Sequence, residues 1–473
     1  MSLTSLDFYG VLAGAVLVFY SLPAKWRVTY LLTVSCAFYL TYSIRFFFLL
    51  VASTACIFLI GLKLGESKDD RQRTRLFILG LLPVIGVLVL FKVLNVTTSI
   101  AAPLGLSYYT FKLVSYLIEV YRNKNQVERS ALRFAAFSTF AAQMVSGPIQ
   151  RHFDFLPQLT RPRFLQFDFD FIESGLRLIL GGLLLKLAIG DRLGAFIAVV
   201  DQDPAHYSWT VLATTTFSYT LYLFADFAGY TNIAIGIGRL FGIESPPNFA
   251  APFTATNIQD FWRRWHMSLT SWLGDYVFSP LWLHVDSVLT RLGMASRVAL
   301  QVGLVASIII NMTLIGIWHG LTWTFWIFGA FHGIVISISA LTYKRKARLL
   351  KRHPRFAHLD SIVGVITTFL VMSLSQIFFQ ATSLQGAFLH LRLLFGFEAT
   401  GAARFQDIPA DIYSPVAVCM MISFYVGFGL PGMARIADFW NRLVPNWVTY
   451  GIGILLFSTF VNVSGGRFIY GQF

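Results

Sequence analysis

Leu76-Phe-Ile-Leu-Gly-Leu-Leu-Pro-Val-Ile-Gly-Val-Leu-Val-Leu-Phe-Lys-Val-Leu-Asn95 carries a single charge, Lys92. A helix needs about 20 predominantly apolar residues to cross the hydrocarbon core of a bilayer, and this stretch supplies them. Further apolar runs lie near residues 8–22, 28–43, 46–62, 104–121, 174–190, 209–238, 298–317, 321–342, 361–380, 412–430 and 447–463. Of the 473 residues, 56% are hydrophobic and 13% charged, whereas soluble domains carry about 25% charged residues. Mean hydropathy is +0.64. A water-soluble fold could not bury so much apolar surface. The runs predict an all-α polytopic membrane protein with about eleven spanning helices, some of the runs being broken or half-spanning.

The formal net charge of +14 would suggest nucleic acid on a soluble chain. Here the cations gather between apolar runs, which makes them a topology signal. The link Lys63–Arg75 carries Lys63, Lys68, Arg71, Arg73 and Arg75, and the link Tyr343–Arg355 carries seven Lys and Arg residues. Both are expected in the cytoplasm. The link 96–103 has no Lys or Arg and is expected outside. Counting spans from these points puts both termini outside. The first run, Phe8 to Leu22, lacks a basic leader and a small-residue cleavage site, so it reads as a retained span. Cys36, Cys56 and Cys419 have neither metal spacing nor the number for a disulfide framework, and read as small buried hydrophobes.

Two segments resist this pattern. Gln143–Arg163 and Asn248–Pro280 are aromatic, polar and contain proline. Phe134–Gly147 is apolar but too short to cross, and reads as re-entrant. Irregular backbone at membrane depth must pack in protein or line a cavity. One membrane-embedded domain is therefore expected over 1–473: N-terminal spans in 1–121, a core with re-entrant segments in 122–342, and C-terminal spans with an extracytoplasmic tail in 343–473.

The densest polar segment runs Asn257-Ile-Gln-Asp-Phe-Trp-Arg-Arg-Trp-His-Met-Ser-Leu269. Trp262, Arg263, Arg264, Trp265 and His266 could form a basic, aromatic collar at a tunnel mouth, with Arg263 or Arg264 holding phosphates. They could equally form an interfacial helix with snorkelling arginines. The second segment, Asn311-Met-Thr-Leu-Ile-Gly-Ile-Trp-His-Gly320, ends an apolar run at His319. A titratable group there tends to face a cavity or a partner, and imidazole is suited to proton transfer near neutral pH. Lys112 and Glu119 share a helix face and could pair. Asp226, Tyr230 and Asn232 read as polar groups joining helices, with Gly229, Gly236 and Gly238 permitting close approach.

At these two histidine segments the chain resembles the membrane-bound O-acyltransferase family. The resemblance rests on Gly105-Leu-Ser-Tyr-Tyr-Thr-Phe111, Gln143-Met-Val-Ser-Gly-Pro-Ile149, Phe224-Ala-Asp-Phe-Ala-Gly-Tyr230, Phe261-Trp-Arg-Arg-Trp-His-Met-Ser-Leu269, Ile317-Trp-His-Gly320 and Phe468-Ile-Tyr-Gly-Gln-Phe473, in that order. It is strongest to the bacterial branch that serves cell-envelope polymers, in alginate O-acetylation and D-alanyl transfer to teichoic acid. The resemblance implies a ring of tilted helices around a thin centre crossed by a tunnel. It implies that His319 matches the family's catalytic histidine and His266 its second histidine. It further implies a cytosolic thioester donor, acetyl-CoA in the alginate branch, with no metal. An extracytoplasmic serine-hydrolase-like (SGNH-type) partner would dock at the C-terminal tail and deliver the acyl group to a polysaccharide. Gly471 departs from the Phe expected in many relatives, which bears on docking.

These readings point to a bacterial inner-membrane acetyltransferase. D-alanyl transfer from a carrier protein, a transporter for a lipid-linked sugar, and a scaffold for the external partner are the competing readings.

Overall fold

The computed structural model describes residues 5–98, 100, 102–145, 147–397, 400–428 and 451. Helices dominate. Among the described residues only two isolated bridges, and no strand, have β pairing. Among the described residues six helices are long and apolar enough to cross a membrane: Ile44–Glu66, Asp70–Thr98, Ser296–His319, Trp323–Arg352, the stretch Pro354–Gln380 and the stretch Ala410–Gly427. The chain is an all-α polytopic membrane protein. A helix satisfies its own backbone, which hydrocarbon otherwise leaves without partners.

The described residues fall into two compact units. The first holds residues up to Leu183 together with Tyr230–Pro247; the second holds Leu184–Gly229 and the residues from Asn248 onward. The 32-residue helix Trp209–Leu240 contributes to both.

In the first unit, Leu106–Arg122 packs against Ile44–Glu66 and Asp70–Thr98. Small residues set the spacing. A Cβ on Gly80 would lie 2.8 Å from Leu117 Cδ2, and one on Gly61 2.7 Å from the Tyr116 ring. Gly105 caps the helix at φ 69°, where its missing Cβ leaves room for the Met144 carbonyl oxygen. Gly236 is as close-packed as the sequence suggests: a Cβ there would meet the Gly175 carbonyl oxygen at 2.5 Å.

Arg73 does more than mark topology. It is buried, and its guanidinium donates to the carbonyls of Leu64 at 2.5 Å and Tyr121 at 2.6 Å. It thereby satisfies carbonyls at two helix ends.

In the second unit, Ser296–His319 and Trp323–Arg352 form a tight hairpin. Cβ atoms on Gly316, Gly329 or Gly333 would strike the facing backbone of Phe325, Met312 or Ile309. The expected link Tyr343–Arg355 is mostly helix, because Trp323–Arg352 runs through it. At 1.5 Å per residue that helix is about 45 Å long, which exceeds a hydrocarbon core of about 30 Å. Its basic end must therefore leave the lipid. Lys346 there pairs with Asp360 at 2.8 Å.

The irregular segments are as irregular as their sequences suggest. Phe134–Gly147 forms part of Ala131–Ser138 and the short Ala141–Met144. Asn248–Pro280 breaks into Ile258–Arg264, Met267–Leu273 and a π-helical turn, Gly274–Phe278. Cys419 is buried, but Cys36 is half-buried and Cys56 exposed on its helix, so burial holds for one of the three. The expected span 447–463 (Gly451 apart) and the Phe468–Phe473 tail lie outside the described residues.

Gly329→Val should destabilise the protein by about 1–3 kcal/mol, since overpacking forces backbone shifts. Gly14→Ala meets no atom within 4 Å and should leave the detergent melting temperature unchanged. Thermal unfolding of the two purified variants checks both.

Candidate active site

The hairpin places His319 as the last residue of Ser296–His319, where it is buried. Its ring lies 4.8 Å from Phe379, T-shaped, and 6.3 Å from Phe325, stacked. Gly320 follows because a side chain there would overlap the Phe325 ring.

His266 comes to the same place by a different route. It adopts the left-handed conformation, φ 46° and ψ 50°, which is uncommon for a residue with a Cβ. Backbone held in such a region persists where its surroundings over-determine it. Asn248 does so: its carbonyl accepts from Met267 N at 3.0 Å and its Oδ1 from Ser268 N at 3.1 Å. Ala250 N donates to Arg264 O at 3.0 Å, and Phe249 bridges Trp265 antiparallel.

Trp318 joins the two histidines. Its indole centroid is 5.9 Å from the His266 ring and 4.6 Å from the His319 ring. The imidazole centroids are thus no farther apart than the sum of these distances. Phe227 also packs against His266, T-shaped at 4.6 Å.

The surrounding collar residues have divided roles. Trp265 is buried, stacked on Phe261 at 5.4 Å and T-shaped to Phe249 at 5.1 Å. Trp262 is buried against His332 and donates its Nε1–H to His332 Nδ1 at 3.4 Å. Arg264 is held internally by Asp260 at 2.9 Å and by the oxygens of Ala250 and Thr254. Arg263 is exposed.

His332, which the sequence did not single out, is fully buried. Ser375 Oγ donates to Met372 O at 2.7 Å, so it must accept from His332 Nε2–H at 2.9 Å. Trp262 then meets the Nδ1 lone pair. Both nitrogens of this imidazole are engaged with neighbouring side chains in the core.

Two further buried clusters surround charges. In the first unit Lys112 Nζ donates to Gln143 Oε1 at 2.8 Å and lies 4.7 Å from the Phe137 ring centroid. Glu119 pairs instead with Arg122 at 3.6 Å. Seven residues separate Lys112 from Glu119 by about 10.5 Å along a helix axis, too far for contact. In the second unit Lys186 pairs with Asp191 at 2.5 Å and with Asp226 at 2.6 Å. The signal for that cluster is a lysine and an aspartate inside apolar runs, of which only Asp226 is singled out from sequence alone. Among the described residues no group of His, Cys, Asp and Glu could hold a metal ion.

The model of the membrane-bound O-acyltransferase family matches residues 104–384, a stretch that contains both histidines. This chain belongs to that family. It is an acyltransferase. It is 28% identical over 446 residues to the peptidoglycan O-acetyltransferase of Helicobacter pylori, across 86% of this chain and 81% of the relative. It is 29% identical over 441 residues to the "probable alginate O-acetylase" of Azotobacter vinelandii, across 88% and 82%. It is 31% identical over 333 residues to the teichoic acid D-alanyltransferase of Streptococcus thermophilus, across 66% and 77%.

Ser375→Ala would strip the acyltransferase of the acceptor for His332 Nε2–H. A buried donor left unsatisfied costs about 1–3 kcal/mol. The expected outcome is a lowered detergent melting temperature, checked against Ser375→Thr, which keeps the hydroxyl.

Proposed function

We propose that this acyltransferase takes an acetyl group from cytosolic acetyl-CoA and passes it across the bacterial inner membrane for O-acetylation of an extracytoplasmic polysaccharide. The observation that carries the reading is that His319 and His266 both pack against Trp318, buried among aromatic rings. Water is kept from such a site, so a thioester there meets the acceptor hydroxyl rather than solvent.

The chemistry needs no energy source beyond the thioester. His319 removes the proton of the acceptor hydroxyl. The hydroxyl oxygen attacks the thioester carbonyl, the C–O bond forms, the C–S bond breaks, and the proton passes from His319 to the leaving thiolate. The carbonyl-rich end of Ser296–His319 favours the positive charge that the ring acquires. His266 polarises the carbonyl or positions the donor. Removing one such oxyanion contact typically costs about 10²–10³ in kcat. Arg263 is the exposed guanidinium of the collar and so the candidate for the donor phosphates. Arg264, tied to Asp260, holds the collar's shape, and Trp262 and Trp265 wall it.

Acetyl is preferred over D-alanyl because the relatives named for O-acetyl transfer cover 86% and 88% of this chain, against 66% for the D-alanyl relative. Their names differ in the polymer, alginate in one and peptidoglycan in the other, so the acceptor is taken as a cell-envelope polysaccharide. An SGNH-type partner at the C-terminal tail would complete delivery, with both termini extracytoplasmic.

Replacing His319 with Ala should lower polymer acylation by at least about 10²-fold, the lower end of general-base action, while the protein still accumulates in the membrane. Near-normal acylation by that variant would rule out the base role. Arg263→Ala should weaken acetyl-CoA binding measured in detergent, and unchanged affinity would remove Arg263 from the donor site. A transporter would release no free CoA from acetyl-CoA in the same preparation.

A further inference from the structure

Lys186 is buried, and the acyl-transfer chemistry makes no use of it. It sits in the π-helical stretch Leu184–Gly190, a wide turn of the kind that recurs at functional positions. Its ammonium lies between Asp191 and Asp226, at 2.5 Å and 2.6 Å. All three side chains are buried, Asp226 completely. A second contact fixes the same junction: a Cβ on Gly190 would lie 3.3 Å from the backbone nitrogen of Asp226. The π-helical stretch and the turn bearing Asp226 are therefore clamped at backbone distance as well as by charge.

What that turn carries decides the meaning of the clamp. Phe227, next to Asp226, stands T-shaped against His266 at 4.6 Å and against Phe249 at 5.2 Å. Phe224, two residues before Asp226, packs against Phe253 at 5.1 Å and Phe249 at 5.5 Å. A rotation or slide of this helix would move the ring that braces His266. His266 is already in a left-handed conformation, so it depends on its neighbours to stay there. Buried ion pairs are often no more stabilising than apolar residues of the same volume, and their best-attested use is to fix register.

We propose that Lys186, clasped by Asp191 and Asp226, is a positioning residue that locks the register of the Phe224–Phe227 turn and so holds His266 in its working orientation. The proposal rests on the role given to His266 above. Lys186 touches neither donor nor acceptor; it acts through Asp226 and Phe227.

The test is a double-mutant cycle in the full chain, purified in detergent, with acetyl-CoA turnover as the readout. A misplacement of about 1 Å can cost about 10²-fold, so Lys186→Met should lower kcat by about that factor with little change in KM. In a His266→Gln background the same substitution should change kcat by less than about threefold, because the residue through which it acts is gone. Lys186→Arg should recover most of the turnover. Equal losses in both backgrounds would overturn the proposal, as would an unchanged kcat in Lys186→Met.

A second readout does not need turnover. The ring protons of His266, assigned by their loss in His266→Gln, feel the ring current of Phe227. Their NMR signals should shift in Lys186→Met and return in Lys186→Arg; unshifted signals would overturn the proposal. If the signals shift while wild-type protein fails to cleave acetyl-CoA, the acyl-transfer reading fails and the positioning stands. Should Lys186→Met not accumulate, Asp226→Glu keeps the charges and displaces the pair, and the same cycle applies. If neither accumulates, the cluster is a folding element and the proposal falls.

Discussion

A polar group in hydrocarbon has no water to turn to, and the fold follows from that constraint. Backbone groups answer it by forming helices, which is why long apolar runs become long helices. Side chains answer it one at a time. Arg73 spreads its guanidinium over carbonyls at two helix ends. Lys112 lies against an amide oxygen and the faces of Phe137 and Phe155, an arrangement in which each ring can contribute about 2 kcal/mol when desolvated. Lys186 takes two carboxylates. Each solution ties together elements distant in sequence, so the groups costliest to bury also specify which helices meet.

The same constraint explains why the candidate site is built from irregular backbone. A continuous helix would engage its peptide groups along its whole length and point its side chains at regular intervals. The break at Trp265–His266 releases that regularity, and Asn248 takes up the peptide groups the break exposes. His266 can then face Trp318 and Phe227 at an angle that a straight helix would not give. His319 reaches Trp318 by the opposite means, at the rigid end of a hairpin whose glycines bring two backbones into contact. One histidine is set by a strained turn and the other by a closely packed helix pair, and both rest against the indole of Trp318.

Much of this was legible in the sequence because it depends on local pattern. The apolar runs gave helices close to their expected bounds: 104–121 became Leu106–Arg122 and 209–238 became Trp209–Leu240. The two segments that fitted neither span nor loop proved to be short helices and turns. The reading faltered where a residue's partner lies far along the chain. Lys112 was matched with Glu119 on its own helix, whereas Gln143, 31 residues away, receives it. His332 looked like one more residue of an apolar run, yet Trp262 and Ser375 hold both its nitrogens. The basic stretch after residue 343 read as a link because charge marks the membrane boundary, but a helix need not stop where the lipid does.

That last difference separates two kinds of information in the sequence. Hydropathy records which solvent each residue meets. It says little about which side chains face one another inside the protein, since lipid-facing and protein-facing positions are both apolar. The buried polar residues in and beside the runs carry the missing information, because each requires a partner. His319, His266, Lys186, Asp226 and Lys112 form a short list, and the structure places a partner or a ring beside each of them. In a chain of this class the intramembrane polar residues are therefore the natural starting point for locating the site. His266, His319 and His332 all sit among aromatic rings; what the first two have in common is Trp318, whereas the neighbours of His332 are Trp262, Phe328 and Phe331.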